Sequence, residues 1–426
     1  MFLKKITAKN FKGFEDITVD FSRGINLLIG NNGSGKTSLL EAISIALGQL
    51  FLRVYKIKPK EMTSETLRYV YKKDGDATHS FIPQYPQQIK FDFQWNSEKT
   101  FSSRLKLNSG EDMPQVNDLM LPKTFSRLVS GASEKLPIIC LQSFDRDWNI
   151  GKIVENQDFM VTAGMTLRVD GYKDCLKGKS GIEDVIQNWC LKMSFLEFQK
   201  KQTVHEFQLF QNTIKKFMAI MLETSDDIKI EYSIETQGME ITIGEHKDSI
   251  YNLSTGYRAI LSMIMELAYR AAVLNPSMED FSELEGVVLI DEIDAHLHPK
   301  WQWKILDAIR QVFPCVQFIV ATHSPIVISS IKDARIIKII DLKTIEVLEP
   351  AYGYTADEVL ELRQGSTSRP ENIVARKRQL ELAVDEGDFA RADEIVQSVK
   401  EEFGETSPVY DEMNRFLRVN RWVEEL

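Results

Sequence analysis

Apolar and polar positions divide the chain into stretches of different texture. Residues 2–9 and 15–21 alternate apolar with polar, which predicts two strands of a half-buried sheet. Ile25–Ile29 is a short apolar run that leads into a glycine-rich segment, and a helix is expected from Thr37 to about Leu50. Residues 51–135 are richer in Lys, Ser, Pro and Tyr. Strand-like runs at 89–95 and 101–107 make this stretch read as a β-rich insertion with exposed loops. Core-strand character returns at 137–141. From 181 to about 223 apolar residues recur at spacings of three and four, predicting a helical arm of one or two segments. It lacks the sustained heptads of a long coiled coil.

Residues 228–251 read as two strands. A helix is expected from 256 to about 273, a buried strand at 286–290, a helix at 299–312, a strand at 316–321 and a terminal hairpin at 335–348. After Gly353 the texture changes to three charged amphipathic helices near 371–386, 388–403 and 408–424. A capping-type start at 368–372 and a stop at Gly404 bracket the first two.

Four segments carry candidate chemistry. The first is Gly30-Asn31-Asn32-Gly33-Ser34-Gly35-Lys36-Thr37, followed by Ser38, between a strand and a helix. Glycines let the backbone curl so that successive amides face a phosphate, and the helix adds its positive end. Lys36 is placed for the β- and γ-phosphates, and the Thr37 hydroxyl for a magnesium ion. The second is Gly286-Val287-Val288-Leu289-Ile290-Asp291-Glu292. Two carboxylates end an apolar strand where open α/β sheets bind ligands. Adjacent strand residues point oppositely, so Asp291 can hold the Mg²⁺ shell while Glu292 acts as general base on water.

The third segment is Leu253-Ser254-Thr255-Gly256-Tyr257-Arg258, opening a helix. It reads as a second anion site serving the ATP of another protomer, and equally as an ordinary serine cap. The fourth is Ala321-Thr322-His323-Ser324-Pro325, which puts His323 at the same sheet edge, able to donate to a γ-phosphate.

Composition narrows the setting. With 426 residues and 43% hydrophobic content the chain can hold one large α/β domain with insertions, or two domains. It has no apolar run of about 18 residues, so no membrane span is expected. The N-terminus is too polar for a signal peptide. Cys140, Cys175, Cys190 and Cys315 lie far apart, suggesting neither a zinc site nor a disulfide framework, and a cytoplasmic setting fits. The net charge of −10 disfavours a basic nucleic-acid-coating surface. Basic clusters at 56–60, 200–201 and 376–378 read as solvated faces, with a local basic groove left open.

The order of these four segments resembles the SMC/RecF class of ABC ATPase heads, over residues 2–345. The resemblance implies an α/β P-loop NTPase with a mixed central sheet, a β-rich insertion, a short helical arm and a C-terminal helical module. It implies ATP and Mg²⁺ as cofactors, with two ATP molecules held between two protomers. Lys36 and Thr37 then match the Walker A lysine and magnesium ligand. Asp291 and Glu292 match Walker B, and Ser254 and Gly256 match the signature given to the γ-phosphate of the other protomer. Asp294 matches the D-loop acid, His323 the switch histidine, and Lys12 in Asn10-Phe11-Lys12 a basic residue near the nucleotide. The magnesium-contacting glutamine is hard to place. Gln142, after strand 137–141, is the candidate, although a surface glutamine would read the same. Thr255 and Tyr257 depart from transporter signatures. His296 and His298 stand two apart, and the D-loop accounts for them without a metal. On this reading the domains are 1–180 and 226–350 for two ATPase lobes, 181–225 for the arm, and 351–426 for a docking or oligomerisation module.

A narrower resemblance rests on 289–299, 322–325, 350–356, Arg369-Pro370-Glu371 and Glu386-Gly387-Asp388-Phe389. These resemble PtuA-type anti-phage ATPases of Septu and retron systems, which implies a separate HNH nuclease as effector and nucleic acid met through the complex. The chain has six histidines, three of them in the segments above, and no Asp-x-Asp cluster after 345, so no nuclease of its own is expected. Two other readings stand beside a defence ATPase. One is a RecF/SMC-like DNA-repair or clamp ATPase, against which the acidic balance counts. The other is a non-hydrolysing scaffold, against which Glu292 counts.

Overall fold

The computed structural model describes residues 1–74, 78–95, 99–110, 112–131, 134–143, 166–178, 182–233, 235–236 and 238–424. They form two compact units, Met1–Thr355 and Ala356–Leu426. The boundary expected between 180 and 181 lies outside the described residues.

In chain order the first unit begins with β1 (Phe2–Phe11), β2 (Phe14–Asp20), β3 (Ile25–Ile29), α1 (Lys36–Gly48), β4 (Tyr69–Asp74), β5 (Thr78–Pro83), β6 (Gln87–Gln94), β7 (Thr100–Leu107), β8 (Gln115–Val116), α2 (Met120–Ser130) and β9 (Ile138–Gln142). It continues with α3 (Ile182–Lys200), α4 (His205–Leu222), β10 (Ile228–Ser233), β11 (Gly238–Ile243), β12 (His246–Ser249), α5 (Thr255–Leu274), β13 (Gly286–Ile290), α6 (Pro299–Gln302), α7 (Ile305–Val312), β14 (Val316–Ala321), α8 (Pro325–Ser329), β15 (Arg335–Ile340) and β16 (Thr344–Leu348).

The central sheet runs β16-β15-β3-β14-β13-β9. Its strands are parallel except for β16, which pairs antiparallel with β15 on the edge, so the sheet is mixed. β3, β13 and β14 are buried along their whole length, which is why they read as unbroken apolar runs. A second sheet, β2-β1-β6-β7-β8, is antiparallel. α1 packs on β1 and β6 and also on β14, so it lies between the two sheets. Accordingly Leu39, Leu40, Ala42, Ile43, Ile45, Ala46 and Leu47 are all buried, leaving no solvent stripe along most of the helix.

Several expectations change. The stretch 51–135 is not mainly an insertion, because β6 pairs with β1 from Phe2↔Gln94 to Lys9↔Gln88 and extends the N-terminal sheet. Only β4 and β5 form a separate two-stranded ribbon. The same stretch holds an unforeseen helix, α2, whose Phe125 meets Phe51 and Tyr172 at ring distances of 5.5 Å each. The expected helix 299–312 is broken into α6 and α7, and the pair of strands within 228–251 gains a third, β12. The helical arm lies back on the head: α4 packs on α5, α7 and β10.

The second unit contains α9 (Ala356–Val359), one π-helical turn, α10 (Glu371–Asp385), α11 (Phe389–Phe403) and α12 (Pro408–Glu424). Leu380, Ala383, Ala392, Val399, Met413 and Leu417 form its core. Glu412 ties α12 to Lys377 of α10 at 2.8 Å and to Arg369 at 2.6 Å. Among the described residues no helix is long and apolar enough to cross a membrane.

Candidate nucleotide site at the edge of the central sheet

Parallel neighbours end at a common edge. Leu28 of β3 pairs with Ala321 of β14, and Ile290 of β13 pairs with both Val320 and Gln142. The glycine loop after β3, Asp291 and Glu292 after β13, and Thr322 and His323 after β14 therefore emerge side by side.

The loop conformation depends on its glycines. Gly33 and Gly35 are left-handed, with φ of 78° and 101°. A Cβ on Gly35 would stand 2.5 Å from Phe14 Cζ, and one on Gly30 would stand 2.6 Å from the Ile339 carbonyl oxygen. Gly35 starts α1 with no side-chain cap. The Ser34 hydroxyl oxygen is buried without a hydrogen-bond partner. Asn31, Asn32, Gly33 and Thr37 face solvent, with Ser38 half-buried. An uncapped helix start, a curled glycine backbone and an orphaned buried hydroxyl together fit the oxygens of a phosphate chain.

Lys36 is 6% exposed, and its ammonium donates to the carbonyls of Gly30 at 2.8 Å and Asn31 at 3.2 Å. Burial lowers its pKa, opposed by the charges of Asp291, Glu292 and Asp294. His323 is held below its ordinary value of 6.5, first by burial and then by Lys36, against the same three carboxylates. Lys36 and His323 thus lie in the field of the same three carboxylates, Asp291, Glu292 and Asp294, and the five form one electrostatic cluster. Asp291 is buried, with its amide donating to Gln142 O at 2.9 Å. Glu292 has a φ of 47°, an uncommon backbone for a non-glycine residue. Asp294 accepts from the Thr322 hydroxyl, which accepts in turn from the Ser324 amide at 3.0 Å. That chain ties the segment after β13 to the one bearing His323. Chemically the cluster can bind an anion at Lys36, a divalent cation at Thr37 and Asp291, and water at Glu292.

Four expected residues, Ser254, Gly256, Gln142 and Lys12, stand apart from it. Ser254 and Gly256 line a separate cleft of about 350 Å³ with Thr255, His296, His298, Lys300 and Trp301, a set without any residue of the glycine loop. A Cβ on Gly256 would lie 2.9 Å from both the His296 carbonyl oxygen and the Trp301 ring. Glycine is thus what lets α5 approach the segment after β13. The amide of Gln142 is buried and turned onto α5, donating to Met263 O at 3.0 Å and to Glu266 at 3.4 Å. Lys12 pairs with Glu41 of α1, which also meets Lys60 at 3.9 Å.

Behind Gln142 stands an ion pair that the sequence pattern alone does not single out. Glu266 pairs at 2.8 Å with Arg270, whose guanidinium also donates to the carbonyls of Gly171 and Lys173. A Glu and an Arg four apart inside an otherwise apolar helix was the available signal.

The family description "AAA domain" matches residues 5–221, and a second, "AAA domain, putative AbiEii toxin, Type IV TA system", matches residues 202–329. The chain is 25% identical to the Retron Vc95 probable ATPase of Vibrio cholerae serotype O1 biovar El Tor, covering 90% of this chain and 84% of that protein. It is 23% identical to the Septu protein PtuA of Bacillus thuringiensis, covering 84% and 83%. Among solved structures it is similar to an SmcHead bound to the C-winged helix domain of ScpA. That likeness has a TM-score of 0.50 and 15% identity, covers 82% of this chain and 98% of that one, and concerns the fold. With its phosphate loop, its mixed sheet and a match over more than half its length, the chain belongs to the AAA domain family of P-loop ATPases.

Proposed function

We propose that this chain hydrolyses ATP at sites completed by a second copy of itself, and that the cycle controls a separate effector, a nuclease, in an anti-phage defence system. The observation that carries the ATPase reading is the cluster of Lys36, Asp291, Glu292, Asp294 and His323 beside the glycine loop. Residues 30–38 hold the phosphates, with Lys36 neutralising charge as it builds on them. Thr37 and Asp291 would hold Mg²⁺, which supplies further charge neutralisation when bound. Glu292 orients and deprotonates the attacking water, and His323 senses the γ-phosphate. The separate cleft at Ser254 and Gly256 supports a shared site, because a helix start suited to an anion, with no residue of its own chain's glycine loop in the cleft, suits the nucleotide of another copy. Similarity to the retron and Septu proteins supports the defence role. The Ala356–Leu426 helices are the proposed docking module for the effector.

Glu292→Gln tests the catalytic assignment. It should retain ATP while turnover falls by roughly 10²–10⁴, the range for losing a general base. Unchanged turnover would reject the assignment and favour the non-hydrolysing scaffold. For the shared site, Ser254→Arg and Lys36→Ala should each be inactive, and a mixture should recover partial activity through one intact composite site. No recovery at any ratio counts against sharing. The SMC-head likeness of the fold favours a DNA clamp as second reading, for which salt-sensitive binding of bare DNA by the chain alone is the signature.

A further inference from the structure

We propose that Leu342, at the tip of the β15–β16 hairpin, is a positioning residue that sets the backbone of the phosphate loop before nucleotide arrives; the inference rests on the nucleotide reading of that loop. The hairpin turns through Asp341 and Leu342, with φ of 52° and 59°, closed by the Lys343 amide on Ile340 O at 3.1 Å. Two successive left-handed residues are what glycine and asparagine supply cheaply. A leucine there brings backbone strain with no local gain. Such strain persists where surrounding contacts over-determine it, and it gathers at functional sites.

The contacts of Leu342 show what over-determines it. Its side chain is half-buried against the main core. A Cβ on Gly13 would lie 2.8 Å from Leu342 Cδ1, and one on Gly35 would lie 2.9 Å from Leu342 Cδ2. One isobutyl group therefore fills the space left by two glycines, one in the β1–β2 turn and one at the start of α1. The edge of the Phe14 ring crowds the same place, 2.5 Å from where the Gly35 Cβ would stand. Phe14 and Leu342 thus close the slot that a Gly35 side chain would need, and a left-handed glycine fits against them.

The same hairpin reaches the other end of the loop. The Ile339 carbonyl occupies the position a Gly30 side chain would need. β15 is also hydrogen-bonded in parallel register to β3, from Arg335↔Asn26 to Lys338↔Ile29. The first and last glycines of the phosphate loop are therefore both backed by one strand and its turn. A loop held this way needs less ordering when it closes on phosphate, which is how preorganisation raises affinity.

The test compares the full chain with Leu342→Gly and Leu342→Met. Glycine relaxes the turn but empties the slot; methionine keeps it filled. Two readouts are taken: backbone amide exchange over residues 30–38 without nucleotide, and the Kd for ATP by calorimetry. Leu342→Gly should exchange faster over 30–38 while the rest of the unit is unchanged, and its Kd should rise roughly tenfold. Leu342→Met should stay within about twofold of the parent on both. Should the glycine variant not fold, Leu342→Asn takes its place, since asparagine also tolerates the left-handed backbone. Unaltered exchange and affinity in Leu342→Gly would overturn the proposal. So would faster exchange spread over the whole unit, or a methionine variant as impaired as the glycine one. If the parent chain binds no ATP, the proposed function fails, while the exchange comparison still decides whether Leu342 holds the loop.

Discussion

Arg270 offers a prediction whose size follows from its contacts. It lies within α5 at 2% exposure. Its guanidinium meets Glu266 through Nε at 2.9 Å and Nη2 at 2.8 Å, and Nη1 donates to Gly171 O at 2.9 Å and Lys173 O at 3.0 Å. Burial is the strongest influence on its charge and opposes it, but the Glu266 carboxylate with the Cys140 and Cys175 side chains together outweigh burial, so the pKa is raised. Arg270→Met keeps most of the apolar stem and removes every donor. Glu266 would then keep the weaker contacts with Gln142 and Cys140, each at 3.4 Å, and two carbonyls would lose their partner. Breaking a buried pair from one side costs about 3–5 kcal/mol. A buried acceptor left unpaired costs about 1–3 kcal/mol, but this overlaps with the first term. The expected loss is about 4 kcal/mol, a large fraction of the roughly 5–15 kcal/mol by which domains are stable. Urea denaturation followed by tryptophan fluorescence in a Trp422→Phe background would report the first unit alone, with free energies from linear extrapolation. Adding Glu266→Leu to Arg270→Met should recover most of the loss, because an apolar replacement leaves no buried charge. A single-variant loss below about 1 kcal/mol, or a double variant no better than the single, would show that Arg270 does not neutralise a buried Glu266 charge.

Two further outcomes concern the site itself. Lys36→Met should stabilise the nucleotide-free protein by up to about 1 kcal/mol, because burial disfavours the Lys36 charge. The same variant should lose ATP affinity, and a lower urea midpoint for it would contradict this account. His323 has a folded pKa below its ordinary 6.5, so the folded state binds fewer protons than the unfolded chain as pH falls below that value. Stability should thus decline on acidification below about 6.5 and be flat with respect to this group above it. His323→Asn should flatten that part of the profile, and a retained parental slope in urea midpoints from about pH 8 to pH 5 would exclude His323 as its source.

Some sites were legible because their chemistry is local. A phosphate loop is one contiguous turn, so Gly30, Gly33, Gly35 and Lys36 announce it through spacing alone. Gln142 was legible only as a residue type. Its position after β9 drew attention, but which face its amide takes depends on Met263 and Glu266, more than 120 residues away. Lys12 likewise read as a basic residue near the loop, and its partner Glu41 is a tertiary choice.

By itself, then, the sequence determined the elements whose period or spacing is short-range. These are the buried strands β3, β13 and β14, the glycine loop, the paired carboxylates and the three terminal helices. Only the tertiary structure decided which strands share a sheet. Strands β6 and β7 alternate like any half-buried strand, and nothing local says that they continue β1 and β2 rather than form an insertion. Pairing is a long-range contact, and its partner is chosen by which apolar faces can be covered together. The same holds for Leu342. Its left-handed backbone is locally unfavourable, so no propensity predicts it, and it makes sense only once Gly13, Gly35 and Phe14 are seen around it.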